Sequence, residues 1–200
     1  MELLMVVLLL SIVVGALFSQ IERAQVRYRV EDQTLDLTQQ EREFIDQFTR
    51  DLHQAGYPAA SMYAAAPPAN QIALGIISIS ATDLQMEGDV DGDGLVDVVE
   101  YSYVSGAGTC NCLRRSALQK GTAGPATAFT EVQGIIATNQ PIFIAYDSSG
   151  AQITLPATAS DLKRIKNVRI TVTTQGTTKD NDTRKDIQVT MTGMARVVNN

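Results

Sequence analysis

The chain has 200 residues, a formal net charge of −6 and a pI near 4.7, with 44% apolar and 19% charged residues. This length suits one folded domain plus an extended segment, and the composition is that of a folded rather than a disordered chain. The acidic balance argues against nucleic-acid binding, because phosphate recognition needs a basic surface. The two cysteines are too few and too close together for a disulfide-scaffold protein.

Residues 3–18 form an almost continuously apolar segment, interrupted only by Ser11 and Gly15. Its 16 residues fall just short of the ~17–25 that span the hydrocarbon core of a bilayer. A signal peptide should begin with basic residues and end at a small-residue cleavage site, whereas this chain begins Met1-Glu2 and has no convincing site. A buried core helix would not be followed by a segment as polar as residues 19–32. The sequence therefore favours a membrane anchor.

Helix formation is permitted from Met1 to about Ala55, because no proline precedes Pro58. At ~1.5 Å per residue this helix would be a rod of roughly 80 Å. Its second half is amphipathic. The apolar positions are Leu37, Phe44, Ile45, Phe48, Leu52 and Ala55, and the charged positions between them are Glu41, Glu43, Asp46, Arg50 and Asp51.

Two signals bear on where this helix ends. Gly56 can adopt the left-handed conformation that terminates a helix, and Pro58 prevents continuation. Thr38 and Glu41 have capping-box spacing, which would allow an interruption near residues 34–38. We predict a continuous or gently kinked helix.

After residue 58 the hydrophobic period changes to that of strands. The predicted strands are residues 72–81, 96–104, 132–137, 142–146, 168–174 and 187–198, and residues 176–184 are predicted as a polar loop or hairpin tip. No helices alternate with these strands, so the sheet should be mainly antiparallel. The predicted fold class is α+β, a lollipop-like molecule. Residues 1–57 form the N-terminal helix, hydrophobic over 1–20 and amphipathic over 21–57, and residues 58–200 form the β-sheet head.

The segment from Asp89 to Glu100 is typical of calcium-binding loops. Its acidic residues match the spacing D-x-D-x-D-G-x5-E. The predicted ligands are the side chains of Asp89, Asp91, Asp93 and Asp97 and the backbone oxygen of Leu95. Oxygen ligands favour calcium over zinc.

The residues flanking this loop predict a strand rather than helices. The loop therefore resembles the calcium loops of FG-GAP-type repeats more than an EF-hand, and in that setting Glu100 would not reach the metal. The alternative is an acidic surface turn without a metal. We expect a structural calcium ion, because the clustered carboxylates would otherwise repel one another.

The layout resembles one protein family. The segment ELLMVVLLLSIVVGALFSQ is similar to the N-terminal segment of type IV pilins and pseudopilins, in which Glu2 matches an acidic position that follows the processing site. The segment FTRDLHQAGY, residues 48–57, resembles the end of the helix in W-type minor pilins. Looser likenesses extend over the head, including Leu113-Arg114-Arg115 as a return strand.

The family resemblance implies a function and an orientation. It implies a subunit anchored in the bacterial inner membrane before assembly and then incorporated, with copies of itself or other pilins, into a cell-surface filament. Glu2 would pair with the terminal amine of a neighbouring subunit, which would set the axial register. Arg23, Arg27 and Arg29 follow the anchor and would place that side in the cytoplasm by the positive-inside rule. The family has the reverse orientation, which we adopt.

The cysteines Cys110 and Cys112 leave several alternatives open. Outside the cytoplasm they could form a local disulfide or remain free or bridge to neighbouring subunits. Zinc would lack further ligands. The chain has a single histidine, His53, and no nucleophile–base pattern or phosphate-binding glycine loop, so we expect no enzymatic activity.

Two hypotheses about function remain at the level of sequence. The first is a structural filament subunit, either a main pilin, a minor or priming pilin, or a type II secretion pseudopilin. The second is a membrane-tethered, calcium-dependent binding module that stays monomeric. Glu2 and the long uninterrupted helix favour the first, because a monomeric anchor needs neither.

Overall fold

The computed structural model describes residues 2–65, 67–106, 110–123, 129–136, 140–179 and 184–198. For Glu2, Phe129 and Thr130 it describes the backbone only. Within these residues, one long helix packs its C-terminal half against a head made of two antiparallel sheets. The lollipop-like α+β fold predicted from the sequence is confirmed.

The helix α1 spans Glu2–Gln54 without a break. Thr34 and Thr38, where an interruption had been the alternative, donate their hydroxyls to carbonyl oxygens four residues earlier, at 2.8 and 2.7 Å. A threonine bonded in this way lies inside a helix and does not cap a new one. The helix ends as predicted, because Gly56 has a φ of 81°.

The first sheet contains five strands in sequential order, each antiparallel to its neighbour. They are β1 (Gly75–Ile79), β2 (Asp83–Gly88), β3 (Asp97–Val104), β4 (Cys112–Gln119) and β5 (Phe129–Val132). Two short 3-10 helices, Ala60–Met62 and Ala69–Gln71, lie between α1 and β1. The order shows that this sheet is a meander, built from successive hairpins.

The second sheet has the order β7-β6-β8-β9, again with antiparallel neighbours. Its strands are β6 (Phe143–Tyr146), β7 (Gln152–Ile153), β8 (Asn167–Lys179) and β9 (Asp186–Arg196), and a short helix α2 (Ala159–Leu162) precedes β8. The long hairpin of β8 and β9 makes most of this sheet's contacts with α1.

The two sheets meet where the chain leaves β5. Gln175 on β8 donates its backbone N–H to the oxygen of Gly134 at 2.9 Å, and Ile136 donates to Thr173 at the same distance. A Cβ at Gly134 would lie 2.9 Å from the Gln175 oxygen, so this close approach requires glycine. The head is therefore joined across the seam by backbone hydrogen bonds.

The core of the molecule lies between α1 and both sheets. Phe44 and Phe48 meet the ring of Tyr101 edge-on, with centroids 5.6 and 5.4 Å apart. Phe48 also contacts Phe143 of the second sheet at 6.0 Å. Each of these buried aromatic side chains contributes roughly 1.5–3 kcal/mol through burial. Phe48 therefore contacts both sheets, and Phe44 adds a second contact with the first.

The strand β2 was missing from the sequence prediction. Its sequence DLQMEG contains polar and acidic residues, yet Leu84 and Met86 alternate into the core. Its carboxylate Glu87 is buried, but it pairs with Lys120 Nζ at 2.7 Å and accepts from the Leu74 N–H at 2.9 Å. Such pairing compensates for the burial of the charge.

Three strand boundaries also differ from the prediction. The strand expected over 72–81 is confined to β1. The strand expected over 132–137 was wrong beyond Val132, because β5 ends there and Ile135 forms only an isolated bridge. Residue 137 lies outside the described residues. Part of the loop expected over 176–184 is strand, because β8 continues to Lys179; residues 180–183 are not described.

Candidate functional sites: the exposed helix and the acidic loop

The N-terminal half of α1 makes no packing contact with the head. Every side chain over residues 3–25 is exposed, including the large apolar ones. The helix contains a window long and apolar enough to cross a membrane, none of it buried within the molecule. A core helix of a soluble domain is thereby excluded. The structure indicates membrane anchoring, and a signal sequence near the N-terminus meets the same criterion of length and composition.

Gln33 marks the point on α1 where the contacts with the head begin. Its side-chain amide donates to Thr177 Oγ1, and its amide oxygen accepts from the Thr178 N–H, each at 3.0 Å. Gly176 faces the same side chain and leaves room for it. The helix below Gln33 extends about 45 Å beyond the head at 1.5 Å per residue.

Glu2, the predicted assembly residue, is the first described residue of α1. Its side chain lies outside the described part of the structure. The helix therefore places Glu2 at the far end of the exposed segment, beyond the apolar residues Leu3 and Leu4.

The acidic loop lies between β2 and β3. The structure brings the carboxylates of Asp89, Asp91 and Asp93 together, with oxygens within 4.8 Å of one another. Asp89 is buried and accepts from the backbone N–H groups of Gly92 and Gly94 at 2.8 and 3.1 Å. Both glycines have positive φ, 80° and 84°, which favours glycine at these turns.

The remaining predicted ligands border this cluster. Asp97 is the first residue of β3, and burial raises the pKa of its carboxyl, with the negative charges of Asp91, Asp93 and Asp89 adding to the effect. Leu95 donates its N–H to Asp93 Oδ1 at 2.8 Å, which holds its backbone in the loop. The smaller part of this rise comes from repulsion by the neighbouring aspartates of the loop.

Glu100, the last acidic residue of the sequence pattern, lies in the middle of β3. It is exposed and pairs with Gln85 and Ser116 on the adjacent strands. Because β3 is extended from Asp97 onward, Glu100 is three residues along the strand from the loop and does not join the carboxylate cluster.

The loop lies next to the C-terminal end of α1. Gly56 donates its N–H to the Glu87 oxygen and Asp89 donates to the Tyr57 oxygen, both at 2.9 Å. A Cβ at Gly88 would lie 2.5 Å from the Gln54 carbonyl oxygen. The C-terminal end of a helix carries partial negative charge, so this junction adds to the negative potential at the acidic loop.

The donor set fits a hard cation. All side-chain donors are carboxylate oxygens, and those of Asp89, Asp91 and Asp93 lie close enough to share one ion. Calcium prefers six to eight oxygen ligands in flexible geometry. Asp89, Asp91 and Asp93 would hold the ion directly, with Asp97 and the Leu95 carbonyl as further ligands at the loop's end.

The cysteines lie near the other end of the first sheet. Cys110 and Cys112 are joined by a disulfide in the structure. Cys112 opens β4 opposite Val104, and its sulfur lies 3.6 Å from Glu131, which also pairs with Arg114 at 3.0 Å. The disulfide therefore lies at the opposite end of β3 from the acidic loop.

Two buried carboxylates were misplaced by the sequence prediction. Glu41 and Asp51 were assigned to the polar face of α1, but their exposed fractions are 0% and 1%. Glu41 lies four residues after Leu37 and three before Phe44, which is the spacing of core positions. This spacing could have predicted a core position for Glu41, but its charge led to the polar-face assignment.

Both buried carboxylates fasten α1 to the head. Glu41 accepts from Thr174 Oγ1 on β8 at 2.7 Å, and its second oxygen has no hydrogen-bond partner. Burial raises the pKa of Glu41, although the Thr174 hydrogen bonds act in the opposite direction. Asp51 accepts from Tyr101 and Arg115 on β3 and β4. The helix is therefore fixed to each sheet by a separate polar contact.

Comparison with known proteins adds no family assignment. A scan against protein-family models finds no match, and searches of curated proteins and of solved structures find none either.

Proposed function

We propose that the chain is a structural subunit of an extracellular, type IV pilus-like filament. It is anchored in the bacterial inner membrane before assembly and has no enzymatic role. The observation that carries this proposal is the complete exposure of the apolar half of α1. Apolar surface on this scale is unstable in water at ~25 cal/mol per Å², so it needs a bilayer or other protein chains around it.

The shape of the molecule supports a filament over a simple tether. A tether needs only the apolar segment, whereas α1 continues as a rigid rod from that segment into the head. In a filament, copies of the chain or other pilins would take the place of lipid around the apolar helices. Contacts that do not close on themselves would then propagate along the axis.

Glu2 has a defined role in this proposal. Its carboxylate pairs with the terminal amine of a neighbouring subunit, because a charge at the start of an apolar helix is costly to bury unpaired. Subunits carrying Glu2→Gln should insert into the membrane but assemble poorly. Normal assembly of Glu2→Gln would remove this role from the proposal.

The proposal includes a calcium ion in the acidic loop. Four carboxylates, Asp89, Asp91, Asp93 and Asp97, lie beside the C-terminal end of α1, and the ion would neutralise their repulsion. Its role would be structural, since it would fix the loop that connects β2 to β3 against the helix end. Extracellular calcium at millimolar concentrations would fill even a weak site of this type.

Cell fractionation tests the proposal against the signal-sequence alternative. Cells producing the full chain are sheared, and the surface fraction and the alkaline-extracted membranes are probed for it by mass spectrometry. A pilin-like subunit appears in both fractions with residues 3–18 still present at its N-terminus. A chain recovered only in soluble form and lacking residues 3–18 would identify a cleaved signal sequence and contradict the proposal.

A further inference from the structure

The disulfide between Cys110 and Cys112 spans a single residue, Asn111. A disulfide stabilises a fold mainly by closing a loop in the unfolded chain, and this effect grows with the length of the loop. A loop with one intervening residue therefore gains little stability from the bond. The strands β3 and β4 are already paired along their whole lengths up to Val104 and Cys112. Global stabilisation does not account for a disulfide at this position.

The two sulfurs of the disulfide differ in their access to solvent. Cys110 is partly exposed, whereas Cys112, the first residue of β4, is completely buried. Exchange between thiols and a disulfide depends on which of the two sulfurs an incoming thiolate can reach. A thiol from solution therefore attacks Cys110, and Cys112 is the sulfur that leaves.

The carboxylate of Glu131 lies beside this disulfide. Its Oε2 is 3.6 Å from Cys112 Sγ, and a carboxylate oxygen lies within 4.8 Å of both sulfurs. A sulfur in a disulfide carries no hydrogen, so this contact brings two acceptors together. In a thiol, the same sulfur carries an S–H that donates to the carboxylate. Glu131 therefore favours the reduced form of Cys112 over the disulfide.

Two neighbours hold Glu131 ready to accept this hydrogen bond. Gln133 donates to its Oε1 at 2.9 Å, Arg114 Nε donates to its Oε2 at 3.0 Å, and both contacts lower the pKa of its carboxyl. The group is therefore ionised at neutral pH. Each carboxylate oxygen accepts two hydrogen bonds, so Oε2 can accept from the Cys112 thiol while it keeps Arg114.

We propose that Cys110 and Cys112 form a reversible redox site, which reacts with thiol or dithiol reductants and whose reduced form is stabilised by Glu131. The reductant supplies two electrons and two protons. Its thiolate bonds to Cys110 Sγ as the S–S bond breaks, and Cys112 takes up a proton as it leaves. A second thiol then bonds to the reductant's sulfur in this mixed disulfide. Cys110 is released as a thiol, and the reductant becomes a disulfide.

The redox state of this site is linked to the junction between the two sheets. Asn111 has a φ of 44°, in the left-handed region, and its carbonyl oxygen accepts from the Ile135 N–H at 2.8 Å. Ile135 in turn forms a bridge with Thr174 on β8. The small ring of the disulfide restricts Asn111, whereas the dithiol leaves it free to depart from a conformation that is costly for residues other than glycine. Reduction therefore weakens the hydrogen bond that holds Ile135 at the junction.

This inference goes beyond the proposed function, because it holds equally for a filament subunit and for a membrane-tethered module. Failure of the filament proposal would leave the redox site in place, and failure of the redox site would leave the filament proposal in place.

Thiol titration of the full chain in detergent micelles tests the redox site directly. The chain has no other cysteines, so alkylation followed by mass spectrometry counts both thiols. In reduced glutathione without denaturant we expect the pair to open to two thiols, and oxidised glutathione should restore the bond. A pair that stays oxidised in excess glutathione until the head is unfolded would be a structural disulfide, and this result would overturn the inference.

The substitution Glu131→Ala tests the part assigned to the carboxylate. Loss of the acceptor should move the thiol–disulfide equilibrium about tenfold towards the disulfide, which corresponds to about 30 mV for a two-electron couple. Glu131→Gln keeps a carbonyl oxygen that accepts from the thiol, so its shift should be smaller. The matched control Glu100→Ala removes a carboxylate from β3 of the same sheet and should leave the equilibrium unchanged. A Glu131→Ala chain with an altered melting temperature but an unaltered equilibrium would contradict the role of Glu131.

Hydrogen exchange tests the link between the disulfide and the sheet junction. The amide of Ile135 should lose protection when the pair is reduced, because its acceptor on Asn111 is no longer held in place. The amide of Val99, in the middle of β3, should keep its protection in both states and serves as the control. Equal protection of Ile135 in the oxidised and reduced chains would contradict the link to the junction.

Discussion

Tyr101 donates its hydroxyl to Asp51 Oδ2 at 2.7 Å, joining β3 to α1 inside the core. The same oxygen accepts from Arg115 on β4, and Gln47 donates to the other oxygen at 2.7 Å. Burial raises the pKa of Tyr101 well above its ordinary value, and the neighbouring Asp51 charge adds to this. The tyrosine is therefore held as a neutral donor, and the carboxylate is fully bonded.

This contact predicts a large loss of stability on truncation. Asp51→Ala leaves the half-buried Arg115 guanidinium without its counter-charge, and the free energy of unfolding should fall by about 3–5 kcal/mol. Denaturant unfolding followed by circular dichroism measures the loss. The matched control Asp46→Ala lies on the exposed side of α1 and should change the free energy by no more than about 0.5 kcal/mol. Equal effects of the two substitutions would contradict a stabilising role for the buried contact.

Glu41 makes stability depend on pH. Its pKa is raised above 4.5 in the folded chain, so folding disfavours the charged form. The free-energy cost of burying the charged form is absent below pH 4.5, where the carboxyl is protonated in both the folded and the unfolded state. This cost grows as the pH rises towards the pKa of the folded chain. Glu41→Gln should therefore raise the melting temperature at neutral pH and have a smaller effect in acid. The control is Glu43→Gln on the exposed side, and a Glu41→Gln gain that did not diminish in acid would be inconsistent with this cause.

Gly88 is required by the close approach of β2 to the end of α1. A methyl group there would lie 2.9 Å from the Gln54 carbonyl carbon and closer still to its oxygen. Relieving this overlap would require a shift of the helix backbone. Gly88→Ala should cost about 1–3 kcal/mol and displace the acidic loop. Thermal unfolding is the measurement, with Gly15→Ala, where nothing lies within 4 Å, as the control. A Gly88→Ala chain as stable as the parent would mean that the junction is not tight.

Calcium should stabilise the head through the acidic loop. At 100 times the dissociation constant, a single site adds about 2.7 kcal/mol to the free energy of unfolding. The double variant Asp91→Asn/Asp93→Asn should lose this response to calcium, measured as the melting temperature with calcium and with chelator. Glu100→Gln is the discriminating control and should keep the response, because Glu100 lies on β3 away from the cluster. Loss of the response in Glu100→Gln would indicate an EF-hand-like ligand set instead.

The sequence was sufficient for the features that follow from local chemistry. The absence of proline before Pro58 and the glycine at position 56 correctly predicted the extent of α1. Alternating Val, Ile and Thr predicted the β8 and β9 strands, since such patterns pack on one face of a sheet. The spacing of the aspartates predicted that Asp89, Asp91 and Asp93 would lie together, because their loop is short.

The features that the sequence did not predict depend on contacts between distant residues. Glu41 and Asp51 were placed on the polar face because their partners Thr174 and Arg115 lie 133 and 64 residues away. The strand β2 was not predicted because an acidic residue such as Glu87 is stable inside the head only when it is paired with a cation. Its partner is Lys120, which follows the end of β4. Likewise, the extension of β8 to Lys179 is supported by Gln33 on α1.

Cryo-electron microscopy of filaments sheared from cells producing this chain is the decisive test of the proposed filament. We expect a helical polymer with this chain in every repeat, its α1 helices at the core and its β-sheet heads outside. Filaments made of a different subunit, or a chain that remains a monomer in the membrane, would contradict it.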